Sequence, residues 1–258
     1  MLRIVDQLLD PRLVIFDKDG TLLAFERLWH AWFEGLMQAL DDIVQLDEVL
    51  QGGLAGTLGY DPTEGAWDPL GPLTLASPQE VAILIAGHLY HYGEMPWDRA
   101  LDTVAAAQRT AQDSVDWHDL IEPIGDVKGT LVRLQISGCR LALATTDDRA
   151  ATETALETLD IAALFECVVC GDDGIPVKPQ PDMAMYICEQ LDVAPAETMM
   201  VGDSVADLHM ARRADLGWAI GVTSGALEEE HLAPYADWVV PDIHAIEVVA
   251  NLEDERDA

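Results

Sequence analysis

Residues 13–21 read LVIFDKDGT, four apolar residues followed at once by polar ones. A short apolar run that ends in turn residues is typical of a strand buried on both faces, as in a parallel sheet. Ligands of open α/β sheets bind at the carboxyl ends of such strands, which is where Asp17 and Asp19 lie. Residues two apart on an extended chain project to the same side, so we expect the two carboxylates to lie close together.

Two neighbouring carboxylates stay ionised only if a cation lies between them, and otherwise one of them keeps its proton. This arrangement suits a nucleophile, a general acid/base and a hard metal ion. Gly20 lets the backbone approach an anion, which makes it a candidate phosphate-binding residue, and Thr21 can close the turn by a side-chain hydrogen bond. Because an Asp-x-Asp-Gly turn is also common without catalysis, the interpretation depends on three further segments.

The second segment, residues 140–147, reads RLALATTD and is again a buried-strand pattern that ends in hydroxyl groups. Thr145 can donate to a phosphate oxygen, the backbone N–H of Thr146 can do the same, and a following helix adds its dipole. The alternative is that both threonines only cap the helix predicted from about Asp148 to Leu159.

The third segment, residues 177–182, reads VKPQPD and places Lys178 between prolines. The chain has three lysines in all, at 18, 128 and 178. A lysine in a stiff loop of so acidic a protein can hold a phosphate and neutralise a carboxylate. The alternative is an ordinary surface lysine in a turn.

The fourth segment, residues 198–207, reads TMMVGDSVAD, a short apolar strand followed by glycine and aspartates at the start of a helix. Magnesium takes oxygen ligands, usually one or two protein carboxylates together with substrate phosphate. Asp203, at a third strand end, complements Asp17 in that role. The alternative is that Asp203 caps the helix.

Taken in this order, the four segments resemble the motifs of the haloacid dehalogenase superfamily of phosphohydrolases, over about residues 10–25 and 120–240. The resemblance implies that Asp17 is the nucleophile that forms an aspartyl-phosphate and that Asp19 is the general acid/base. It places Thr145 and Lys178 at phosphate-holding positions. Many relatives carry Asn where this chain has Thr146. The resemblance implies that the main phosphate contact at this position comes from the backbone, so this departure from the family pattern is tolerable.

The resemblance also implies a cofactor, Mg²⁺. Its expected ligands are Asp17, Asp203 and the backbone carbonyl of Asp19, and Asp207 matches an outer acidic position. The dehalogenases of the family resemble this site but lack an acid/base two residues after the nucleophile. The presence of Asp19 therefore argues against carbon–halogen hydrolysis.

Covalent catalysis by aspartate divides phosphoryl transfer into two steps, and each step needs a proton transfer. The sequence thus indicates a magnesium-dependent phosphomonoester hydrolase whose substrate is a small phosphorylated metabolite, with phosphoglycolate favoured by resemblance. Two alternatives stay open. One is a sugar phosphomutase of the same superfamily, and the other is a catalytically inactive binding or regulatory module.

The middle of the chain has apolar residues at helical spacing. One face of a first helix is predicted to carry Trp29, Trp32, Phe33, Leu36 and Leu40. A second helix is expected near Pro78 to His91, with Ser77 as N-cap and Glu80 completing a capping box. A third is expected over residues 96–116, and the glycine- and proline-rich residues 51–75 are predicted to form a long loop.

Such an insert resembles the helical cap of the family's phosphoglycolate-phosphatase-like subgroup. We therefore predict an α/β protein, with a Rossmann-like parallel-sheet core over residues 1–22 and 120–258 and an all-helical cap domain over residues 23–119. The predicted cap has no lysine, which argues against the phosphonate-cleaving relatives. Its cationic candidates for gripping a second phosphate, as a mutase must, are Arg27, Arg99 and Arg109.

Later elements of the core are expected as strands at residues 218–222 and 237–240 and a short helix over residues 243–252. The net charge of −33 opposes binding to nucleic acid or to an anionic membrane. With no signal peptide and no apolar run near 20 residues, the protein is expected to be cytoplasmic. The four cysteines are expected to be buried free thiols, and nothing in the sequence indicates the oligomeric state.

Overall fold

The protein is described by a computed structural model that covers residues 1–24, 26–63, 65–114 and 120–249. Two compact units are present. The core unit consists of Met1–Ala24 and the chain from Ile121 onwards, and the insert unit is the segment between them. Among the helices of the described ranges, none combines the length and the hydropathy that a membrane crossing needs.

The strands, in chain order, are β1 (Leu2–Ile4), β2 (Gln7–Leu9), β3 (Leu13–Phe16), β4 (Tyr60–Asp61), β5 (Ala66–Trp67), β6 (Arg140–Ala144), β7 (Cys167–Val169), β8 (Thr198–Gly202), β9 (Trp218–Val222), β10 (Trp238–Val240) and β11 (Glu247–Val248). The α-helices are α1 (Glu26–Val44), α2 (Glu48–Leu58), α3 (Pro72–Leu75), α4 (Pro78–His91), α5 (Trp97–Ser114), α6 (Val127–Ile136), α7 (Arg149–Thr158), α8 (Asp182–Gln190), α9 (Val205–Arg213) and α10 (Glu229–Leu232).

The core unit is built on a six-stranded parallel sheet in the order β10-β9-β8-β3-β6-β7. The chain adds β6 and β7 on one side of β3 and then returns to add β8, β9 and β10 on the other. The strand order therefore reverses at β3, and a crevice at the carboxyl ends of the strands is expected there. The predicted α/β class with a Rossmann-like parallel sheet is confirmed.

The central strand β3 is buried on both faces, as its apolar sequence predicts. Val14 and Phe16 belong to one hydrophobic cluster, and Leu13 and Ile15 belong to another. This division follows from the alternation of side chains along a strand. The helices of the core cover the two faces, so β3 is held between two apolar layers and its C-terminal end is fixed in position.

A second, three-stranded antiparallel sheet in the core unit has the order β11-β1-β2 and was not predicted from the sequence. The helix predicted over residues 243–252 is wrong for the described part of that range. Residues 243–245 form one 3₁₀ turn, capped by Asp242, and Glu247 and Val248 then pair with β1. Tertiary strand pairing has overridden a weak helical pattern, and residues 250–252 lie outside the described ranges.

The insert unit has a hydrophobic core of its own, formed mainly between α1, α2, α4 and α5. The predicted first helix corresponds to α1, and the capping box of Ser77 and Glu80 at the start of α4 is confirmed. The third predicted helix corresponds to α5, which ends at Ser114 just before residues that the structure does not describe. Apart from the two-residue strands β4 and β5, the regular structure described in this unit is helical.

The loop predicted over residues 51–75 is wrong, because that range contains most of α2, the β4–β5 pair and α3. Asp47 begins α2 by accepting a hydrogen bond from the amide of Leu50, and Gly59, with φ of 83°, ends it. Leu54 and Leu58 are buried against the other helices. Burial of this apolar side offsets the low helix propensity of the glycines that concealed the helix.

The insert leaves and rejoins the core unit at one place. The amide of Ala24 donates to the carbonyl of Glu122 at 2.9 Å, and Leu23 forms an antiparallel bridge with Pro123.

The four cysteines are free thiols. Three are buried as expected, and Cys167 is partly exposed.

Candidate active site

Asp17 and Asp19 lie in a tight turn that directly follows β3. The amide of Asp17 extends the pairing with β8 by donating to Val201, and the carbonyl of Lys18 accepts from the amides of Leu22 and Leu23. Gly20 has φ of 79°, a left-handed conformation that glycine adopts at little cost. The turn therefore holds both aspartates at the carboxyl end of the central strand.

Lys178, from the loop between β7 and α8, lies between two carboxylates. Its Nζ is 2.5 Å from Oδ1 of Asp17 and 2.6 Å from Oδ1 of Asp207. With 7% of its surface exposed, Lys178 is not the ordinary surface lysine of the alternative interpretation. Burial lowers the pKa of Lys178, but attraction to Asp17 and Asp207 outweighs that effect and raises it. The ammonium group is therefore charged at physiological pH.

Asp203 follows β8 and lies against two glycines. A Cβ atom on Gly225 would be 1.8 Å from Oδ2 of Asp203, and one on Gly20 would be 2.2 Å from the same atom. Thr21 donates to Oδ1 of Asp203 at 3.4 Å, and the Ser224 hydroxyl donates to the carbonyl of Gly20 at 2.7 Å. The absence of side chains at Gly20 and Gly225 thus leaves the space that the Asp203 carboxylate occupies.

Asp17, Asp203 and Asp207 form a cluster in which one carboxylate oxygen from each lies within 4.8 Å of the others. Burial raises the pKa of Asp17 to about 6, opposed by Lys178 and assisted by Asp207. Burial, repulsion from Asp17 and repulsion from Asp207 raise the pKa of Asp203 well above its usual range. Burial is the largest cause of both shifts, and repulsion among the three carboxylates adds to it. Oxygen donors in such a cluster fit a hard divalent cation.

Asp207 is more fully engaged than the other members of the cluster. Its Oδ1 bonds Lys178, and its Oδ2 accepts from both the amide and the hydroxyl of Ser204. Ser204 and Asp207 form the capping box of α9, so the alternative in which Asp203 caps this helix is wrong. Asp17 and Asp203 are therefore better placed than Asp207 to coordinate a cation directly.

Asp19 points to a different partner, Lys18, the residue between the two motif aspartates. Nζ of Lys18 is 3.0 Å from Oδ2 of Asp19 and 2.8 Å from Oδ2 of Asp147. The other oxygen of Asp19, Oδ1, is buried and has no hydrogen-bond partner among the described residues. Burial raises the pKa of Asp19, and the attraction of Lys18 opposes that rise.

The end of β6 brings Thr145 to the same edge of the sheet. Its amide donates to Val169 of β7, and its hydroxyl accepts from the amide of Asp147 at 3.1 Å. Because an accepting hydroxyl keeps its own hydrogen, Thr145 can still donate to a ligand. The N-cap of α7 is Asp148, so the interpretation that the two threonines cap this helix is wrong.

Sequence reasoning missed three residues of this site: Lys18, Asp147 and Gly225. The sequence motifs give no role to Lys18, and they place Asp147 only at the end of a predicted strand segment. Gly225 follows β9, and the Thr-Ser-Gly sequence after that strand is the one signal that could have pointed to it. Five aspartates and two lysines give the site a formal charge of −3 with all groups ionised.

A family model described as a haloacid dehalogenase-like hydrolase matches residues 11–215. The phosphoglycolate phosphatase of Escherichia coli (strain K12) is 37% identical over 99 residues, which are 38% of this chain and 39% of that protein. The phosphoglycolate phosphatase of Salmonella typhi is 35% identical over a segment of the same length. The aligned part of the chain thus spans well under half the length of these curated relatives.

Solved structures extend the similarity over most of the chain. A predicted phosphoglycolate phosphatase from Haemophilus somnus has a TM-score of 0.71 and 19% identity, with 92% of this chain and 96% of that chain covered. A protein from Thermotoga maritima with a provisional beta-phosphoglucomutase assignment has a TM-score of 0.61 and 20% identity, with 91% and 96% covered. At these identities the similarity shows the fold.

Proposed function

The chain belongs to the haloacid dehalogenase-like hydrolase family, and from this premise we propose that it is a magnesium-dependent phosphomonoester hydrolase that works through an aspartyl-phosphate on Asp17. One observation carries the proposal. Asp17 is buried at the end of the central strand, bonded to Lys178 and clustered with Asp203. This is the setting in which a carboxylate can be presented to a phosphoryl group.

Asp17, Asp203 and the backbone carbonyl of Asp19 are the groups we propose to hold magnesium, with Asp207 in an outer position. The excess negative charge, the raised pKa of Asp203 and the oxygen-only donor set support this assignment. When bound, magnesium supplies positive charge that stabilises the phosphoryl oxygens and offsets their repulsion from Asp17.

In the first step the Asp17 carboxylate attacks phosphorus, and a new P–O bond forms as the bond to the leaving alcohol breaks. Asp19 donates a proton to the departing oxygen. In the second step Asp19 accepts a proton from water, whose oxygen attacks phosphorus. The bond to Asp17 breaks, inorganic phosphate leaves, and Asp17 is restored as a carboxylate.

Phosphate binding is assigned to Lys178, Gly20, Thr145 and the backbone of Thr146. Lys178 supplies a fixed ammonium group beside Asp17, where charge builds up on the phosphoryl oxygens. The left-handed Gly20 lets the turn approach an anion closely, and the Thr145 hydroxyl retains a hydrogen to donate. Together they orient the phosphoryl group for attack by Asp17.

We propose a small phosphorylated metabolite as the substrate, with phosphoglycolate first among the candidates because the curated relatives are phosphoglycolate phosphatases. The insert unit is proposed to act as a helical cap that selects the substrate. A sugar phosphomutase is the second candidate, because a structure with that provisional assignment shares the fold. An inactive binding module is disfavoured, since every residue needed for the chemistry is present.

Replacement of Asp17 tests the proposal. Asp17→Asn removes the nucleophile with little change in size, so kcat for p-nitrophenyl phosphate with magnesium should fall at least 10³-fold while circular dichroism is unchanged. Asp102→Asn, at an exposed position on α5, is the matched control and should retain full activity. Turnover that survives Asp17→Asn would contradict the assignment.

The reaction type and the cofactor are tested separately. Dialysis against a chelator should abolish turnover, and added magnesium should restore it. A panel of phosphorylated metabolites, assayed for both inorganic phosphate and isomerised sugar phosphate, distinguishes a hydrolase from a mutase. Release of phosphate without isomer supports the hydrolase, and isomer formed without phosphate release supports the mutase.

A further inference from the structure

Lys18 is a buried lysine to which the proposed chemistry gives no role. It is 2% exposed, and its ammonium group bonds Asp19 and Asp147 rather than the metal cluster. Removing a lysine charge from water is costly unless hydrogen bonds to carboxylates compensate. Its burial between two carboxylates therefore indicates a defined task for this side chain.

The two carboxylate oxygens of Asp19 differ in their contacts. Oδ2 is held by Lys18 at 3.0 Å, while the buried Oδ1 has no partner in the described part of the chain. Leaving a buried oxygen without a hydrogen bond costs free energy. Such an atom is therefore a candidate to accept or donate a hydrogen bond to a bound ligand. Lys18 thus fixes the carboxyl group by one oxygen and leaves the other free.

Asp147 gives Lys18 a rigid anchor. Its Oδ2 bonds Lys18 at 2.8 Å, and its Oδ1 accepts from the amide of Asp148 at 2.9 Å. Its backbone is held as well, because its carbonyl accepts from Gly171 at 2.7 Å. Gly171 is needed for this approach, since a Cβ there would lie 2.2 Å from the carbonyl oxygen of Thr146. The anchor is therefore built into the segment that follows β6.

We propose that Lys18 and Asp147 are positioning residues, which hold Asp19 by its Oδ2 so that Oδ1 faces the oxygen that gains or loses a proton in each half of the reaction. This inference rests on the proposed function, because it concerns the acid/base of that same site. Lys18 belongs to the turn after β3 and Asp147 to the segment after β6, so the two strand ends together set the direction of Asp19.

The two half-reactions respond differently if this is correct. p-Nitrophenolate is a good leaving group that departs without a proton, so the first step with p-nitrophenyl phosphate does not need Asp19 as an acid. The second step needs Asp19 as a base with every substrate. An alkyl phosphate such as glycerol phosphate needs the proton in its first step too. A general structural defect would instead slow all steps alike.

The experiment is rapid-mixing kinetics with Lys18→Met and p-nitrophenyl phosphate. The fast phase, with up to one p-nitrophenolate per active site, should keep the wild-type rate, and the following steady state should fall roughly 10²-fold. With glycerol phosphate, turnover should fall by at least that factor and no fast phase should appear. Lys18→Arg, which keeps the charge, should recover part of the steady-state rate, which is the slow phase of the reaction.

Lys128→Met is the matched control, because Lys128 is half exposed and pairs with Asp160 at the surface. It should behave as wild type. Asp147→Asn conserves size at a position with a quarter of its side chain exposed, so it tests the same inference if Lys18→Met does not fold. It should lower the slow phase about tenfold and leave the fast phase unchanged.

Equal losses in both phases and with both substrates, or no loss, would overturn the positioning role. The proposed function has its own separate test. If wild type fails to turn over phosphate esters, or Asp17→Asn retains turnover, the function falls. If wild type turns over phosphate esters, Asp17→Asn does not, and Lys18→Met shows no difference between the two phases, the inference alone falls.

Discussion

Glycine at position 225 leaves room for the Asp203 carboxylate and for little else. The Cβ of an alanine there would overlap Oδ2 of Asp203, which lies 1.8 Å from its ideal position. The backbone of Gly225 lies outside the positive-φ region, so an alanine meets a steric conflict without backbone strain. The added Cβ would also lie 2.4 Å from Cγ and 2.6 Å from Cβ of Asp203, so both the carboxylate and the backbone that carries it would have to move.

Gly225→Ala should therefore displace Asp203 and weaken the proposed magnesium binding without unfolding the core unit. We expect the magnesium concentration for half-maximal activity to rise at least tenfold, because a ligand moved by about an ångström no longer meets the ion. Magnesium titration of p-nitrophenyl phosphate hydrolysis, the proposed activity, measures the effect.

The matched control is Gly87→Ala, on α4, where an added Cβ meets no atom within 4 Å. It should leave the magnesium dependence unchanged and stabilise the helix slightly, since alanine is the better helix former. An unchanged magnesium dependence in Gly225→Ala as well would show that Asp203 is not a ligand.

Single residues were predictable from the sequence where chemistry follows directly from position on a strand. Asp17, Asp203 and Thr145 end parallel strands, and parallel strands bring their carboxyl ends to one edge. Lys18 and Asp147 could not be paired in this way, because 129 residues separate them and the path of a lysine side chain depends on packing. The role of Gly225 depends on a distance, which spacing in the sequence does not encode.

At the scale of elements, the hairpin of β1 and β2 contains a strained residue. Val5 joins the two strands with φ of 54°, in the left-handed region that β-branched residues avoid. Its side chain is 58% exposed, so little packing compensates for the strain. The hairpin is maintained by burial of Leu2 and Ile4 on β1 rather than by its turn.

Val5→Asn should stabilise the protein, because asparagine enters the left-handed region more readily. We expect the free energy of unfolding to rise by about 1 kcal/mol, measured by urea denaturation. Val49→Asn is the control, at an exposed position within α2, where asparagine is no better than valine and no gain is expected. If Val5→Asn gives no more stability than Val49→Asn, backbone strain at this turn is negligible.

Elements were predictable when local and tertiary preferences agreed. The α4 helix has an N-cap, a proline at its first position and an apolar side, and its prediction was correct. The α2 helix contains several glycines and forms because its apolar side is buried, which a local pattern does not reveal. The β11 strand exists only through pairing with β1 at the opposite end of the chain.

At the scale of the whole molecule, the net charge of −33 acts on stability. Like charges repel across a folded surface more than in an expanded chain, so the folded state carries the larger repulsion. Salt shortens the range of this repulsion from roughly 10 Å at 0.1 M to about 3 Å at 1 M. The fold should therefore be weakest in dilute buffer.

We expect the thermal unfolding midpoint to rise by several degrees as KCl increases from 0.02 to 0.5 M, with a smaller gain above that range because screening saturates. Circular dichroism at constant pH measures it. A rise that stays linear to 2 M would indicate a general salt effect on apolar surface instead. A midpoint that is flat below 0.5 M would show that the charges do not limit stability.

The junction at Ala24 and Glu122 has a consequence for how this protein can diverge. The segment between those two residues is an insertion whose two ends are hydrogen-bonded neighbours in the core unit. The insert has a hydrophobic core of its own, so a change in its length can leave the distance between its two ends unchanged. Descendants of this protein can therefore change the length or the sequence of the insert unit, which is proposed to select the substrate. The strands of the core sheet, with the proposed catalytic residues at their ends, can meanwhile keep their register.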